Sequence, residues 1–336
     1  MTLLLDNDDV RRVLRMRDCI DALDGTFRDY AAGIAVNRPR SHTYTDLGEG
    51  RHYLFKTMDG SLPGSGVHAL RLTSDLTVEH GRRRDKVPAA PGERYVGLVL
   101  LFDVATLVPL AILHDGYLQR MRVGATSALA ADRLARPDAR VAGVVGAGWQ
   151  AGAQILGLRE VRELDDVRVY APTRAKLEAF CAEYDARPVA SAREAIEGAD
   201  VVALATNSHE PVLDGAWLEP GQHVNSVQRH ELDDATVARA ELTVVRSREE
   251  PTFHYAPGHA PVAAAERREL EDVVELGDVL SGAVGRRSAD EITLFTGGGG
   301  LGIQFAAVAN VVYESARDAG LGRDLPTEWF TQKEKP

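Results

Sequence analysis

The strongest constraint on this chain is an apolar run from Val141 to Val145 that turns through Gly146-Ala147-Gly148 into the segment Trp149-Gln150-Ala151-Gly152-Ala153. A strand that must turn sharply into a helix needs residues that do not obstruct the path. Gly146 allows the tight turn, Gly148 removes a Cβ so that a ligand can approach the backbone, and Ala151 lets helix and strand pack closely. The start of such a helix offers unpaired N–H groups to an anion, so the segment reads as a cradle for a dinucleotide pyrophosphate, with Trp149 and Gln150 beside it.

A Gly-x-Gly-x-x-Ala match has weight only where strand, turn, helix and strand follow one another. Here a helix is expected over 151–160, a strand over 167–170, a helical segment over 173–184 and a strand over 201–205. This is the βαβαβ order of a mononucleotide-binding half, and it predicts an α/β fold with a Rossmann-type doubly wound parallel sheet and oxidoreductase chemistry.

The second strand ends in Tyr170-Ala171-Pro172-Thr173-Arg174, with no carboxylate where an acid would normally meet the adenosine ribose. An acid there would repel a 2′-phosphate, whereas the Thr173 hydroxyl and the Arg174 guanidinium accommodate one. NADP(H) is therefore favoured over NAD(H). Thr173 also suits the N-cap of the next helix with Arg174 in its first turn, and the two roles can coexist. Thr206, Asn207 and Ser208 close the third strand and should border the nicotinamide ribose, joined by Val227 at the end of the next strand.

A length of 336 residues suggests about two domains, each with its own core. Leu3-Leu4-Leu5 runs straight into Asp6-Asn7-Asp8-Asp9, which is neither a basic leader nor a full apolar signal core, and no membrane span is needed. Cys19 and Cys181 are too few for a disulfide framework and lack zinc-ligand spacing, so no metal is expected and the cytoplasm is the expected location. The formal net charge of −11 argues against nucleic acid as a partner, since binding phosphate backbones needs a basic face.

Along the chain, Asp6-Asn7-Asp8-Asp9 should cap a short helix, and 15–30 repeats the apolar Cys19, Ile20, Leu23 and Phe27 at helical spacing. From 53 to 113 the pattern becomes strand-like, as in 67–72 and 95–102. The charged stretch His80 to Lys86 reads as a solvated hairpin or lid, with attraction of an anionic substrate as the alternative. A helix over 124–136 leads into the glycine-motif strand, so a first domain should end near Arg122. Further parallel strands are expected over 221–227 and 242–245. After the glycine run 297–300, which could be a hinge, a cofactor contact or a permissive turn, a last helix over 301–319 should stop at Gly320.

Four spaced segments carry a family resemblance: Arg122-Val123-Gly124-Ala125-Thr126-Ser127-Ala128-Leu129-Ala130, Ala205-Thr206-Asn207-Ser208, Gly221-Gln222-His223-Val224-Asn225 and Gly300-Leu301-Gly302-Ile303-Gln304. In this order they resemble the ornithine cyclodeaminase and mu-crystallin family over most of the chain. That family also contains alanine dehydrogenases, ketimine reductases and siderophore-pathway amino-acid dehydrogenases, all acting at a carbon that bears nitrogen next to a carboxylate. The resemblance implies a dinucleotide-binding domain, 123–300, inserted into a smaller α+β substrate and dimerisation domain made of 1–122 and 301–336, and a homodimer. It also implies that the substrate carboxylate is met by Arg40, by Arg71 where the family has a lysine, and by Arg122. Guanidinium groups suit this, because they bind a carboxylate bidentately; a surface ion pair is the alternative for each.

The chain departs from the cyclodeaminase pattern in two places. The segment from Val224 to Leu232 lacks the Gly-Asp loop whose aspartate takes part in catalysis, and the aspartate that follows Gly-x-x-Ile-Gln is replaced by Phe305. Arg71 stays charged and can only bind, whereas a lysine can shed its proton when desolvated. Lys56 is then the remaining lysine near the expected pocket, as a proton donor or carboxylate clamp, or else in a structural salt bridge to Asp59. His230 and Glu231 lie on the loop that should face the nicotinamide, and either could replace the missing acid; a merely exposed His230 is the plain alternative.

Together these residues predict an NAD(P)H-dependent oxidoreductase acting on a C=N or C–N bond next to a carboxylate, either an imine or ketimine reductase or an amino-acid dehydrogenase. Its partner would be a small amino, imino or 2-oxo acid, and catalysis would be mainly placement. Two rivals stand beside it: an ammonia-lyase of the ornithine cyclodeaminase type with recycled NAD, and a crystallin-like protein that holds NADPH and a small ligand without turnover.

Overall fold

The computed structural model describes residues 1–80, 83–249, 251–258, 272–297 and 299–334. The expected nucleotide-binding half is built around an all-parallel sheet. Its spatial order is Arg187–Pro188, Asp166–Tyr170, Val141–Val145, Val201–Leu204, His223–Ser226, Thr293–Thr296, Leu242–Val245 and Val274–Glu275. From Val141–Val145 the chain builds outward to one side and then returns to Val201–Leu204 on the other. The strand order therefore reverses between these two neighbours, and a crevice opens outside their carboxyl ends. The strands at the centre are buried on both faces, because helices cover both: every residue of Val201–Leu204 and of Thr293–Thr296 is buried.

A second, mixed sheet of nine strands among the described residues runs in the order Thr252–His254, Val36–Asp46, Arg51–Leu62, Val67–His80, Val96–Asp103, Pro109–His114, Thr2–Leu5 and Arg323–Leu325, with Arg83–Val87 paired to Val67–His80. Met58, Leu62, Ala69, Val99, Leu101 and Leu113 form its inner face in one core with the last helix, Gly302–Asp318. Two glycines set how closely sheet and helix approach. A Cβ on Gly302 would strike the backbone of Asp59 and Gly60, and one on Gly60 would strike Ile303.

One expectation is corrected, and two others are met with detail that the sequence does not show. The helix expected over 124–136 is Gly116–Leu134, so the boundary near Arg122 falls inside one continuous helix rather than between elements. It starts earlier because its first turns bury Leu118 and Met121, while Arg120 and Arg122 are buried against partners from both parts of the molecule. The strands at 223–226 and 242–245 both form, but Thr293–Thr296 lies between them, and Thr252–His254 from the inserted segment joins the mixed sheet. The charged stretch is part of a hairpin in which Arg83–Val87 pairs with the preceding strand; Gly81 and Arg82 lie outside the described residues. Cys19 and Cys181 are both buried and free, and among the described residues no helix is long and apolar enough to cross a membrane.

Candidate active site

The junction helix Gly116–Leu134 and the motif helix Trp149–Val161 pack face to face, because Gly124 lacks the Cβ that would strike the Ala153 carbonyl. Gly146 has φ +118°, and a side chain there would collide with the Ala205 carbonyl. Gly148 differs: it is the N-cap of the motif helix, its side gives no capping bond, and a Cβ built on it would meet nothing within 4 Å. No side chain caps the helix start and the space beside Gly148 is open, so the residues present fit an anionic pyrophosphate. Ala151 is fully buried against the sheet. Trp149 is 47 % exposed at the mouth, held by the Arg120 guanidinium 4.3 Å from its ring centroid and by an Arg120 Nε bond of 2.9 Å to its carbonyl. Gln150 donates to Gln119 at 3.0 Å and so ties the two helices.

Thr173 occupies the N-cap position of Arg174–Glu183 but its hydroxyl makes no capping bond, so the capping role foreseen for it is not realised. Arg174 is exposed and pairs with Glu178 at 2.6 Å, one turn further on. Both groups stand at the carboxyl end of Asp166–Tyr170 and face solvent.

At the neighbouring strand ends, Glu231 is fully buried and holds two loops together. Its Oε1 accepts from the Thr206 N–H at 2.6 Å and the Thr206 hydroxyl at 2.8 Å, and its Oε2 accepts from the Gln228 N–H at 2.8 Å and the Ser226 hydroxyl at 3.1 Å. A carboxylate engaged four times is a positioning group for the crevice rather than an acid aimed at substrate. His230 is exposed and stacks on His209 at 5.5 Å, the plain alternative considered for it. Asn207 is exposed at the same edge, Ser208 donates its N–H to the Thr206 hydroxyl at 3.2 Å, and Val227 bonds back to Leu204 at 3.0 Å.

Beside the crevice the three expected arginines converge. Arg122, buried in the junction helix, donates to Gln304 Oε1 at 3.3 Å; its Nε has no partner. Burial first, and then repulsion from Arg246, Arg71 and Arg40, holds its pKa well below the usual arginine range. Such a group gains from an incoming carboxylate. Arg71 is already paired: Asp115 accepts from its Nε at 2.8 Å and its Nη2 at 2.5 Å. The guanidiniums of Arg71 and Arg122 lie 5.2 and 5.0 Å from the centroid of the Phe305 ring, so the residue that replaces the family's aspartate is a fully buried aromatic platform beneath both. Arg40 sits where the pairing register of Val36–Asp46 shifts, between Arg38 and Ser41, an irregularity of the kind that re-aims side chains.

Lys56 does not pair with Asp59, which binds Arg38 instead. Its ammonium lies 2.9 Å from Asp75, a carboxylate with no exposed side-chain surface that also meets Lys86 at 2.5 Å. Register decides this: Lys56 lies opposite Thr73, and Asp75, two residues on, is its diagonal neighbour on the same face of the paired strands. Burial lowers the Lys56 pKa to about 8, against the opposing pull of Asp75.

Several residues escaped the sequence reading. Asp115 gives no sign of its role beyond an acid between a strand and a helix; room for its carboxylate comes from Gly97, where a Cβ would strike it. Gln304 accepts from the Leu301 N–H at 2.9 Å and donates to Thr126 at 2.7 Å, and Thr126 donates to the Arg122 carbonyl at 2.6 Å, so two motifs noticed only by resemblance form one brace around Arg122. His223 and Asn225 are likewise structural. His223 contacts Thr293 at 2.8 Å and Asn225 at 3.1 Å, and burial pushes its pKa down to about 3.

Residues 1–320 match the family model described as the ornithine cyclodeaminase/mu-crystallin family. The chain belongs to that family. Among the relatives of this ornithine cyclodeaminase/mu-crystallin chain, the alanine dehydrogenase of Archaeoglobus fulgidus is 30 % identical over 96 % of this chain and 98 % of its own. A Delta(1)-pyrroline-2-carboxylate reductase of Bacillus cereus is 34 % identical, covering 68 % of this chain and 74 % of its own. Among solved structures, the Thermococcus litoralis Delta(1)-pyrroline-2-carboxylate reductase in complex with NADH and L-proline superposes with a TM-score of 0.77 at 28 % identity, covering 96 % of this chain and all of that one.

Proposed function

We propose that this protein is a nicotinamide-dependent oxidoreductase that reduces an imine carbon bearing a carboxylate, or runs the reverse oxidation of the amino or imino acid. The observation that carries the reading is the pairing of an open, uncapped helix start at Gly148 with the buried, unneutralised guanidinium of Arg122 on the adjoining helix. The relatives named pyrroline-2-carboxylate reductase and alanine dehydrogenase support it. A bound nicotinamide coenzyme would supply the hydride.

The chain's own residues bind and orient. Arg122, Arg71 and Arg40 grip the carboxylate, Phe305 keeps the first two level, and Glu231 fixes the loops that border the crevice. Lys56 supplies the proton that keeps the substrate nitrogen cationic. The ammonia-lyase alternative asks for a base where Phe305 stands or on the loop that Glu231 closes; Phe305 is none, the Glu231 carboxylate is already engaged four times, and His230 stacks on His209 instead. A second copy of the chain is expected as partner. The test is a panel of cyclic imines and of 2-oxo acid and amine pairs, read as NADPH consumption; consumption with an imine supports the proposal, and ammonia release from ornithine without added coenzyme would favour the lyase.

If Lys56 acts as the acid, the rate of imine reduction should be highest where its ammonium is intact and should fall as pH rises through about 8. Burial sets this value first, Asp75 opposes it, and Lys86 and Arg71 lower it further. Lys56→Met should lower kcat roughly a hundredfold, within the range of general acid catalysis, and erase the alkaline limb. A pH profile unaltered in the variant would remove Lys56 from the chemistry.

NADP(H) is the coenzyme we favour, since the strand end from Tyr170 to Arg174 carries no acid to repel a 2′-phosphate, and Arg174 can exchange its exposed pair with Glu178 for one. The double change Thr173→Asp and Arg174→Ala should shift the ratio of kcat/KM for NADPH over NADH by about tenfold or more toward NADH. An unmoved ratio would place the phosphate elsewhere.

A further inference from the structure

Arg246 follows the strand Leu242–Val245, is 4 % exposed and faces the glycine loop. Its Nη1 donates to the carbonyls of Gly297 at 2.9 Å and Gly299 at 3.0 Å. Each described glycine of that loop lies against a different arginine. A Cβ on Gly297 would strike Arg246, one on Gly299 would come within 3.3 Å of Arg40, and one on Gly300 within 2.7 Å of Arg122. The loop therefore needs glycine for close approach: its bare backbone fills the space between the guanidinium bonded to it and two that the proposed reaction uses.

Fastening two carbonyls does not in itself require a cation. A neutral amide would serve without a buried charge that repels Arg122 and whose pKa burial alone holds down to about 10, with no carboxylate pulling the other way. A guanidinium is well suited if the neighbourhood receives an anion during turnover. Its Nη1 holds both carbonyls at once, and the planar guanidinium fixes the directions of the two N–H bonds where a freely rotating ammonium would not.

We infer that Arg246 is a positioning residue: it clamps the glycine loop against Arg40 and Arg122 and thereby holds those two guanidiniums in place for the substrate carboxylate. This inference rests on the imine-reductase reading and deepens it. It assigns the glycine loop a role as packing for the carboxylate site, neither a hinge nor a coenzyme contact.

The test compares wild type with Arg246→Met, Arg246→Lys and Arg122→Ala, using Delta(1)-pyrroline-2-carboxylate as the reduced probe and pyrrole-2-carboxylate as a planar competitor whose binding is followed by tryptophan fluorescence. Arg246→Met should raise the KM for the imine and the competitor dissociation constant at least tenfold, with kcat within threefold of wild type and the KM for NADPH unchanged. Arg246→Lys should recover part of the loss, since an ammonium keeps the charge and reaches one carbonyl. An imine KM within twofold of wild type in Arg246→Met, while Arg122→Ala raises it, would overturn the inference and leave the reading intact. So would a common fall of every constant, together with melting temperature, in both Arg246 variants. Neither turnover nor competitor binding by wild type would overturn the reading, and the inference with it.

Discussion

Gly148→Val should yield a folded protein that no longer binds nicotinamide coenzyme. A Cβ at Gly148 meets no atom within 4 Å and its backbone is extended, so the fold has room for the new side chain. The branched side chain would, however, project from the N-cap into the space in front of the helix N–H groups, where the pyrophosphate is expected. Gly146→Val is the contrasting control. There φ is +118° and the Ala205 carbonyl blocks the Cβ, so the expected loss is of folding itself. Titrating NADPH against tryptophan fluorescence and recording melting curves separates the two. Gly148→Val should melt within a few degrees of wild type with coenzyme affinity reduced beyond measurement, and affinity within a few-fold of wild type would remove the helix start from the coenzyme site.

Arg122→Ala should raise the KM for the imine at least tenfold and leave NADPH affinity unchanged, because a charge-assisted bond to a carboxylate contributes about 1.5–3 kcal/mol. The same change should not weaken the fold. Arg122 is buried, repelled by three other guanidiniums, and its Nε is without a partner, so its removal relieves an unfavourable charge even as it breaks the bond to Gln304. A melting temperature equal to or above wild type, beside a weakened substrate interaction, is the signature of a group kept for binding rather than for stability. A parallel loss of stability and of coenzyme binding would instead make Arg122 a structural brace.

The nucleotide-binding half was legible because its signals are local: the glycine turn, the apolar strand before it and the alanine-rich helix after it lie within one short stretch. Thr293–Thr296 was not legible. Its four residues are all buried and show no alternation, and its place between His223–Ser226 and Leu242–Val245 is a property of the crossover, which no local pattern encodes. The same division holds in the site. Arg122 lies in one of the motifs and Arg40 and Arg71 follow from the family resemblance, while the partners Asp115 and Gln304 come from other elements and become neighbours only in the folded chain. Lys56 shows the limit most clearly: the nearest acid in sequence, Asp59, lies on the same strand, yet pairing across strands delivers Asp75 instead. The glycine run was visible as composition, but its purpose depends on three arginines that approach it from separate elements.

On the proposed reading, this chain carries hydride between a nicotinamide coenzyme and the carbon between nitrogen and carboxylate. That transfer is tested most directly with NADPH deuterated at the transferable position of C4, incubated with Delta(1)-pyrroline-2-carboxylate and with pyruvate plus methylamine, and read by mass spectrometry of the amino-acid product. One deuterium at the α-carbon of a product, formed in step with coenzyme oxidation, is the predicted result. Binding of both ligands without deuterium in any product, or ammonia released from ornithine with no net coenzyme consumed, would contradict it.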